Sequence, residues 1–257
     1  MSLHASRSSA VPLIVCFGDS LTAGYQSPTP DWPQLRETPY GEFLQAWLGA
    51  SAAVAVSGIC GELTSEMVER FARDVIARKP VSVVILGGTN DLGWETAPLD
   101  ILRNLVVMYD MALAESIRPV AVTVPSIRVQ GDVGTGEGRL WLEGHIQRRR
   151  ELNGMIRDVC LANQFPCVDL FSATQEQDSG LLARPYSNDG LHLTTEGYRR
   201  IAELLYEEVF SRPGWRESAA RLFARSPIRS SITWWSWPGC RCWWNSGSLT
   251  AAGAARY

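Results

Sequence analysis

Three residue types needed for nucleophilic acyl transfer stand in this chain at places where a fold could bring them together. Ser20 closes the run Phe17-Gly18-Asp19-Ser20-Leu21-Thr22, directly after the apolar stretch Val11–Cys16. A short apolar stretch that stops at glycine and serine reads as a buried strand ending in a tight turn. Far downstream, Asp189-Gly190-Leu191-His192 puts a carboxylate and an imidazole three residues apart in a turn-rich segment. A hydroxyl, an imidazole base and a carboxylate that orients it are the working parts of a serine nucleophile. Two plainer readings stand beside this one. Ser20 or Asp19 could simply cap a helix, and Asp189 could close an Asx-turn that leaves His192 on the surface. The other two histidines compete weakly. His4 lies near the start of the chain, and His145 lies beside Arg148-Arg149-Arg150, a run that reads as a solvated helix face.

An acyl-transfer site also needs donors for the negative oxygen that develops on the carbonyl. Gly87-Gly88-Thr89-Asn90-Asp91 ends one apolar run, where the Asn90 amide can reach across a sheet edge. Ser57-Gly58-Ile59-Cys60-Gly61-Glu62 follows another, where Gly61 can present its backbone N–H and Gly58 competes for the same role. Gly18–Thr22 lacks the second glycine of the Gly-x-Ser-x-Gly elbow, which argues against the ordinary α/β-hydrolase architecture.

These loops need a scaffold. Apolar, β-branched runs recur at Pro12–Phe17, Ala52–Ser57, Val81–Leu86, Pro119–Val124 and Cys167–Leu170. Amphipathic stretches with helical spacing lie between them, at Glu62–Lys79, Leu99–Ile117, Leu140–Asn163 and Thr195–Phe210. Strands alternating with helices predict a parallel sheet covered on both faces. The expected fold is therefore α/β: a three-layer α/β/α domain with five parallel strands over residues 10–212. The tail 213–257 departs from the pattern, with Trp234, Trp235, Trp237, Trp243 and Trp244 crowded among arginines. It reads as lying outside the core fold, and an interfacial membrane or partner-binding segment is the alternative. The glycine-rich stretch Ile127–Gly138 reads as a mobile loop bordering the site.

Composition narrows the function further. The 257 residues carry 24 basic and 27 acidic side chains, a formal net charge of −3 that favours neither nucleic acid nor an anionic membrane. Lys79 is the single lysine and sits beside Pro80, so Schiff-base chemistry and the phosphate-loop lysine have no candidate. Apart from Cys240-Arg241-Cys242, the cysteines Cys16, Cys60, Cys160, Cys167, Cys240 and Cys242 are scattered without metal-ligand pairing, and most read as buried reduced thiols. No metal and no cofactor are expected. Nothing before Val11 resembles a secretory signal and no apolar stretch is long enough to span a bilayer, so a cytoplasmic location is the expectation.

Taken together, the ordered blocks resemble the SGNH, or GDSL-type, hydrolase superfamily. Phe17–Thr22 matches its first block, Gly61 its glycine block, Gly88-Thr89-Asn90-Asp91 its Gly-x-Asn-Asp block, and Asp189–His192 its Asp-x-x-His block. The resemblance implies a flavodoxin-like fold with Ser20 as nucleophile, His192 as general base and Asp189 as its partner. It also implies an oxyanion hole made by the backbone N–H groups of Ser20 and Gly61 with the Asn90 side chain. The expected substrate is a small-molecule carboxylic ester. Thioesters, lysophospholipids and acetylated sugars are the other acyl substrates this resemblance allows. A non-catalytic flavin- or nucleotide-binding module is the reading from a different class, and it leaves the Asp189–His192 pair without a purpose.

Overall fold

The computed structural model describes residues 11–129, 136–213 and 215. The tryptophan-rich tail beyond Trp215, with Cys240 and Cys242, and half of the glycine-rich loop (residues 130–135) fall outside the described residues.

The chain builds its sheet from runs that are apolar on both faces. β1 (Leu13–Gly18) is followed by a single turn of helix, α1 (Ser20–Ala23), and then by a small hairpin of β2 (Tyr25–Gln26) and β3 (Arg36–Glu37). Next come α2 (Tyr40–Leu48), β4 (Ala53–Gly58), α3 (Thr64–Asp74), β5 (Ser82–Leu86), α4 (Thr89–Gly93) and α5 (Pro98–Ala114). β6 (Arg118–Val122), α6 (Glu137–Asn163), β7 (Cys167–Val168), α7 (Leu170–Thr174) and α8 (Thr195–Leu205) complete the domain. The five long-sheet strands are all parallel, in the order β4-β1-β5-β6-β7. That is the flavodoxin-like 2-1-3-4-5 order, and its switch point lies where β1 meets β5.

Alternation along β1 explains the three layers. Ile14 and Cys16 point to one face, where they pack with Tyr40 and Leu44 of α2 and Tyr198 and Ile201 of α8. Val15 and Phe17 point to the other, against Met67 and Phe71 of α3 and Ile101 and Leu105 of α5. All of these side chains are buried, so each strand is held by apolar contact on both sides. Among the described residues no helix is long and apolar enough to cross a membrane.

The five strands and four helices expected from the sequence are present, with shifts at their ends. Cys167–Leu170 is shorter than expected: the strand stops at Val168, because Asp169 caps α7 by accepting a hydrogen bond from the Ser172 N–H. The elements not expected are the short α1, α2, α4, α7 and the β2–β3 hairpin. Cys16 and Cys160 are buried free thiols as expected, Cys167 is half-buried, and Cys60 is exposed.

Gly58 fixes how α1 sits on the sheet. A Cβ there would fall 2.2 Å from Ala23 N and 2.8 Å from Asp19 O, both backbone atoms that cannot swing away. Gly58→Ala is therefore expected to lower the unfolding free energy by at least about 1–3 kcal/mol, the usual cost of overpacking. Urea denaturation measures it, and a wild-type midpoint would contradict the packing argument.

Candidate active site

Ser20 begins α1 immediately after β1, on the carboxyl side of the sheet at the switch point, and is almost fully buried. The cap of this turn is Asp19, whose Oδ1 accepts the Leu21 N–H at 2.9 Å. Ser20 is left free of that duty. Among the described residues neither its hydroxyl nor its backbone N–H makes a hydrogen bond.

The turn before α8 supplies the imidazole. Asp189 Oδ1 accepts the backbone N–H groups of Leu191 and His192, each at 2.8 Å, which closes an Asx-type turn. Its second oxygen, Oδ2, accepts from His192 Nδ1 at 2.7 Å and from the Ser27 hydroxyl. The two readings of Asp189 are thus compatible, because one oxygen shapes the turn and the other holds the ring. Burial pushes the Asp189 carboxyl up, but the bonds from His192, Ser27 and the two backbone N–H groups outweigh it and hold the acid below the usual carboxylate range. A carboxylate on Nδ1 leaves the proton there and Nε2 as the free acceptor. The Tyr25 ring, 4.4 Å away between centroids, closes the other side of His192.

The segment that follows α1 stitches the two regions together. Tyr25 O accepts the Tyr198 hydroxyl at 2.6 Å, Gln26 Oε1 accepts the Thr195 N–H at 3.1 Å, and Ser27 reaches Asp189. Ser20 and His192 are therefore anchored to one rim through residues 25–27. No direct hydrogen bond joins them among the described residues, and catalytic contacts of ligand-free enzymes are commonly long.

Asn90 and Gly61 face the same rim from neighbouring loops. Gly61 has φ +79 and nothing within 4 Å of where a Cβ would stand, and its N–H makes no hydrogen bond among the described residues. Gly58, its rival in the sequence, belongs to β4 and is fully explained by packing under α1. Asn90 Nδ2 donates to the Glu62 carbonyl at 2.9 Å. An amide carries two N–H bonds, so one remains for a ligand. Two buried polar residues hold this corner. Arg70 donates to Glu62 Oε1 at 2.6 Å, to Gly18 O at 2.9 Å, to Ser57 Oγ at 2.8 Å and to Asp74 at 2.9 Å. Asp91 accepts from the Thr64 hydroxyl at 2.6 Å and from the Thr64 N–H. Sequence reading missed Arg70, although its eight-residue spacing from Glu62 was visible.

A cleft of about 440 Å³ opens beside Asn90 and Asp189, walled by Trp94, Ile127, Trp141 and Leu191. Its walls correct one expectation: of Arg148-Arg149-Arg150, only Arg150 is exposed, Arg148 is half-buried and Arg149 turns inward. Arg149 is 1 % exposed and His145 3 %, because both lie on the inward stripe of α6 that continues through Asn153. Burial first, and then the charges of Arg149 and Arg148, pull the His145 pKa down to about 4, so this ring stays neutral at neutral pH. Among the described residues no group of three or more His, Cys, Asp or Glu side chains could hold a metal.

Asp19 carries a consequence that can be measured. Burial pushes its pKa up to about 7, and Oδ2 has no hydrogen-bond partner. The unfolded carboxyl titrates near about 3.9, so the native state holds its proton to higher pH than the unfolded chain does. The stability it contributes is complete below pH 4 and drains away as pH rises towards 7. Relative to Asp19→Asn, the wild type is expected to lose about 1.4 kcal/mol per pH unit across that window. Urea unfolding of both proteins between pH 4 and 8 reads the difference, and parallel profiles would rule it out.

Comparison with known proteins accords with this geometry. Residues 16–200 match the model of the GDSL-like Lipase/Acylhydrolase family. The curated Bacillus subtilis (strain 168) protein named Uncharacterized lipoprotein YqeF is 25% identical over 216 residues, covering 74% of this chain and 86% of its own length. Among solved structures, a GDSL-like lipase from Bacteroides thetaiotaomicron superposes with a TM-score of 0.60 at 23% identity, over 76% of this chain and 86% of the other. The lipase/acylhydrolase from Enterococcus faecalis gives a TM-score of 0.57 at 24% identity, over 85% and 100%. The family match takes in every loop of the rim from Ser20 to His192, so the chain belongs to the GDSL-like lipase/acylhydrolase family and is a hydrolase acting on esters.

Proposed function

We propose that the chain is a serine esterase for small-molecule carboxylic esters, working through an acyl-enzyme on Ser20, within a hydrolase unit at residues 10–212. The observation that carries this reading is the His192 Nδ1–Asp189 Oδ2 bond of 2.7 Å, held on the same rim as an otherwise unbonded serine hydroxyl. His192 Nε2 takes the Ser20 proton as the oxygen attacks the ester carbonyl. Asp189, kept ionised, stabilises the imidazolium that results. The developing oxyanion is received by the N–H groups of Ser20 and Gly61 and by the second N–H of Asn90. His192 returns its proton to the leaving alcohol, then takes one from the water that attacks the acyl-enzyme and passes it to Ser20 Oγ as the acid departs. Nothing in this sequence requires a cofactor.

The reading is tested by a fluorophosphonate probe with mapping of the labelled residue. The adduct is expected on Ser20, and Ser20→Ala is expected to lose both labelling and turnover of a short-chain aryl ester. Undiminished hydrolysis by Ser20→Ala would refute the nucleophile. Asn90→Ala is expected to lower kcat about 10²–10³-fold. A kcat within a few-fold of wild type would remove Asn90 from the oxyanion site.

A further inference from the structure

Arg149 has no part in the proposed reaction, yet it lines the cleft that opens beside Asn90 and Asp189. It is one of the largest side chains that the fold buries completely. Nη1 donates to the Pro125 carbonyl at 2.7 Å, Nε is buried without a partner, and no hydrogen bond takes Nη2 among the described residues. No carboxylate among them lies within 4 Å of it. The acid whose field reaches it, Asp19, is itself buried, and burial works to keep it neutral. Burial pulls the Arg149 pKa down to about 9, which leaves the guanidinium charged at neutral pH.

Among the described residues the carboxylate on the cleft wall, Asp189, is held by His192, Ser27 and two backbone N–H groups and forms no ion pair with Arg149. Arg128 is committed to Glu176, Arg148 stands 3.9 Å from Glu95, and His145 is neutral and stacked on Trp141. Thr89 also lines the cleft, and its Oγ1 is buried without a partner. An uncompensated buried cation is costly, and removing it from water is offset when an anion pairs with it. The planar fork of arginine matches carboxylate and phosphate oxygens. The remaining walls, Trp94, Ile127, Trp141 and Leu191, favour an apolar stem.

We infer that the cleft receives an ester that carries a carboxylate or phosphate on an apolar stem, with the anion seated on Arg149 and Thr89 and the ester at Ser20. This rests on the esterase reading and names its substrate class. Neutral esters of the same length then lack the contact that completes the site.

The test compares kcat/KM for 4-nitrophenyl hexanoate, mono-4-nitrophenyl adipate and 4-acetoxybenzoate, with phenyl acetate as the neutral partner of the last. The adipate places the charge in the acyl half and the benzoate in the alcohol half. One anionic ester is expected to exceed its neutral partner at least tenfold, and in Arg149→Gln this ratio is expected to fall to about one or below. Using the ratio cancels any loss of folded enzyme, because both substrates meet the same sample. Monomethyl adipate and inorganic phosphate, tested separately by thermal shift on the Ser20→Ala protein, identify which anion binds without needing turnover. One of them is expected to raise Tm in Ser20→Ala and not in Ser20→Ala/Arg149→Gln. Wild type without any anionic preference, together with no Tm shift from either anion, overturns the inference whether or not the variant folds. Absence of turnover for every ester with the anion-dependent Tm shift intact would instead strike the esterase reading alone.

Discussion

The buried guanidinium of Arg70 is the constraint on which the candidate active-site rim depends. It lies 4.1 Å over the Phe17 ring and binds the last residue of β1, the end of β4 and the Gly61–Glu62 loop at once. Those three segments carry the Ser20 turn and the Gly61 N–H, and the Glu62 carbonyl in turn holds the Asn90 amide. One side chain therefore sets the mutual placement of all three proposed oxyanion donors. A geometric error of about an ångström among such donors costs orders of magnitude in rate. Rigidity here is chemically useful, and a charge satisfied on every side is hard to displace. Loss of the cation would strand Glu62, 7 % exposed, as an uncompensated buried acid, which typically costs about 3–5 kcal/mol.

The same economy of position explains what could be read from the chain. Central parallel strands must be apolar on both faces, so β1 and β5 stand out as continuous runs whatever their neighbours are. The helices that cover them are long enough for their stripes to show. α2 carries the stripe Tyr40, Leu44, Leu48 between Pro39 and Gly49, so its signal is present in the sequence, but Gly41 interrupts the reading. That glycine lets the helix lie against β4, where a Cβ would come within 2.6 Å of a Val56 methyl. The one-turn helices α1, α4 and α7 have no periodicity to detect, and tertiary contacts alone define them.

The site divides in the same way. Ser20, Asn90, Asp189 and His192 are legible because each closes a loop at a strand end or before the last helix, where a polar residue has no packing purpose. The roles of Glu62 and Arg70 are not, since a charge pair on an amphipathic helix ordinarily faces water. Arg149 is the sharper instance. In the sequence it is the middle of three arginines, and only the rotation of α6 decides that its neighbours reach solvent while it points inward beside His145 and Asn153. Distinguishing those cases requires knowing which face the sheet occupies.

Two carboxylates flank the proposed nucleophile, and their surroundings drive them in opposite directions. Asp19 is fully buried, accepts one backbone N–H and leaves its second oxygen unpaired, so its neutral form is favoured. Asp189 is half-buried but accepts two backbone N–H groups, a hydroxyl and the imidazole, so its charged form is favoured. Environment alone assigns their parts, as it does wherever paired acids serve different ends. A charged Asp19 next to Ser20 would oppose the negative charge that builds on the substrate carbonyl. A charged Asp189 lies behind the imidazole, where it stabilises the positive charge that builds there instead. By weakening one charge and fixing the other, the fold would align its field with the direction of the proposed proton and electron-pair transfers.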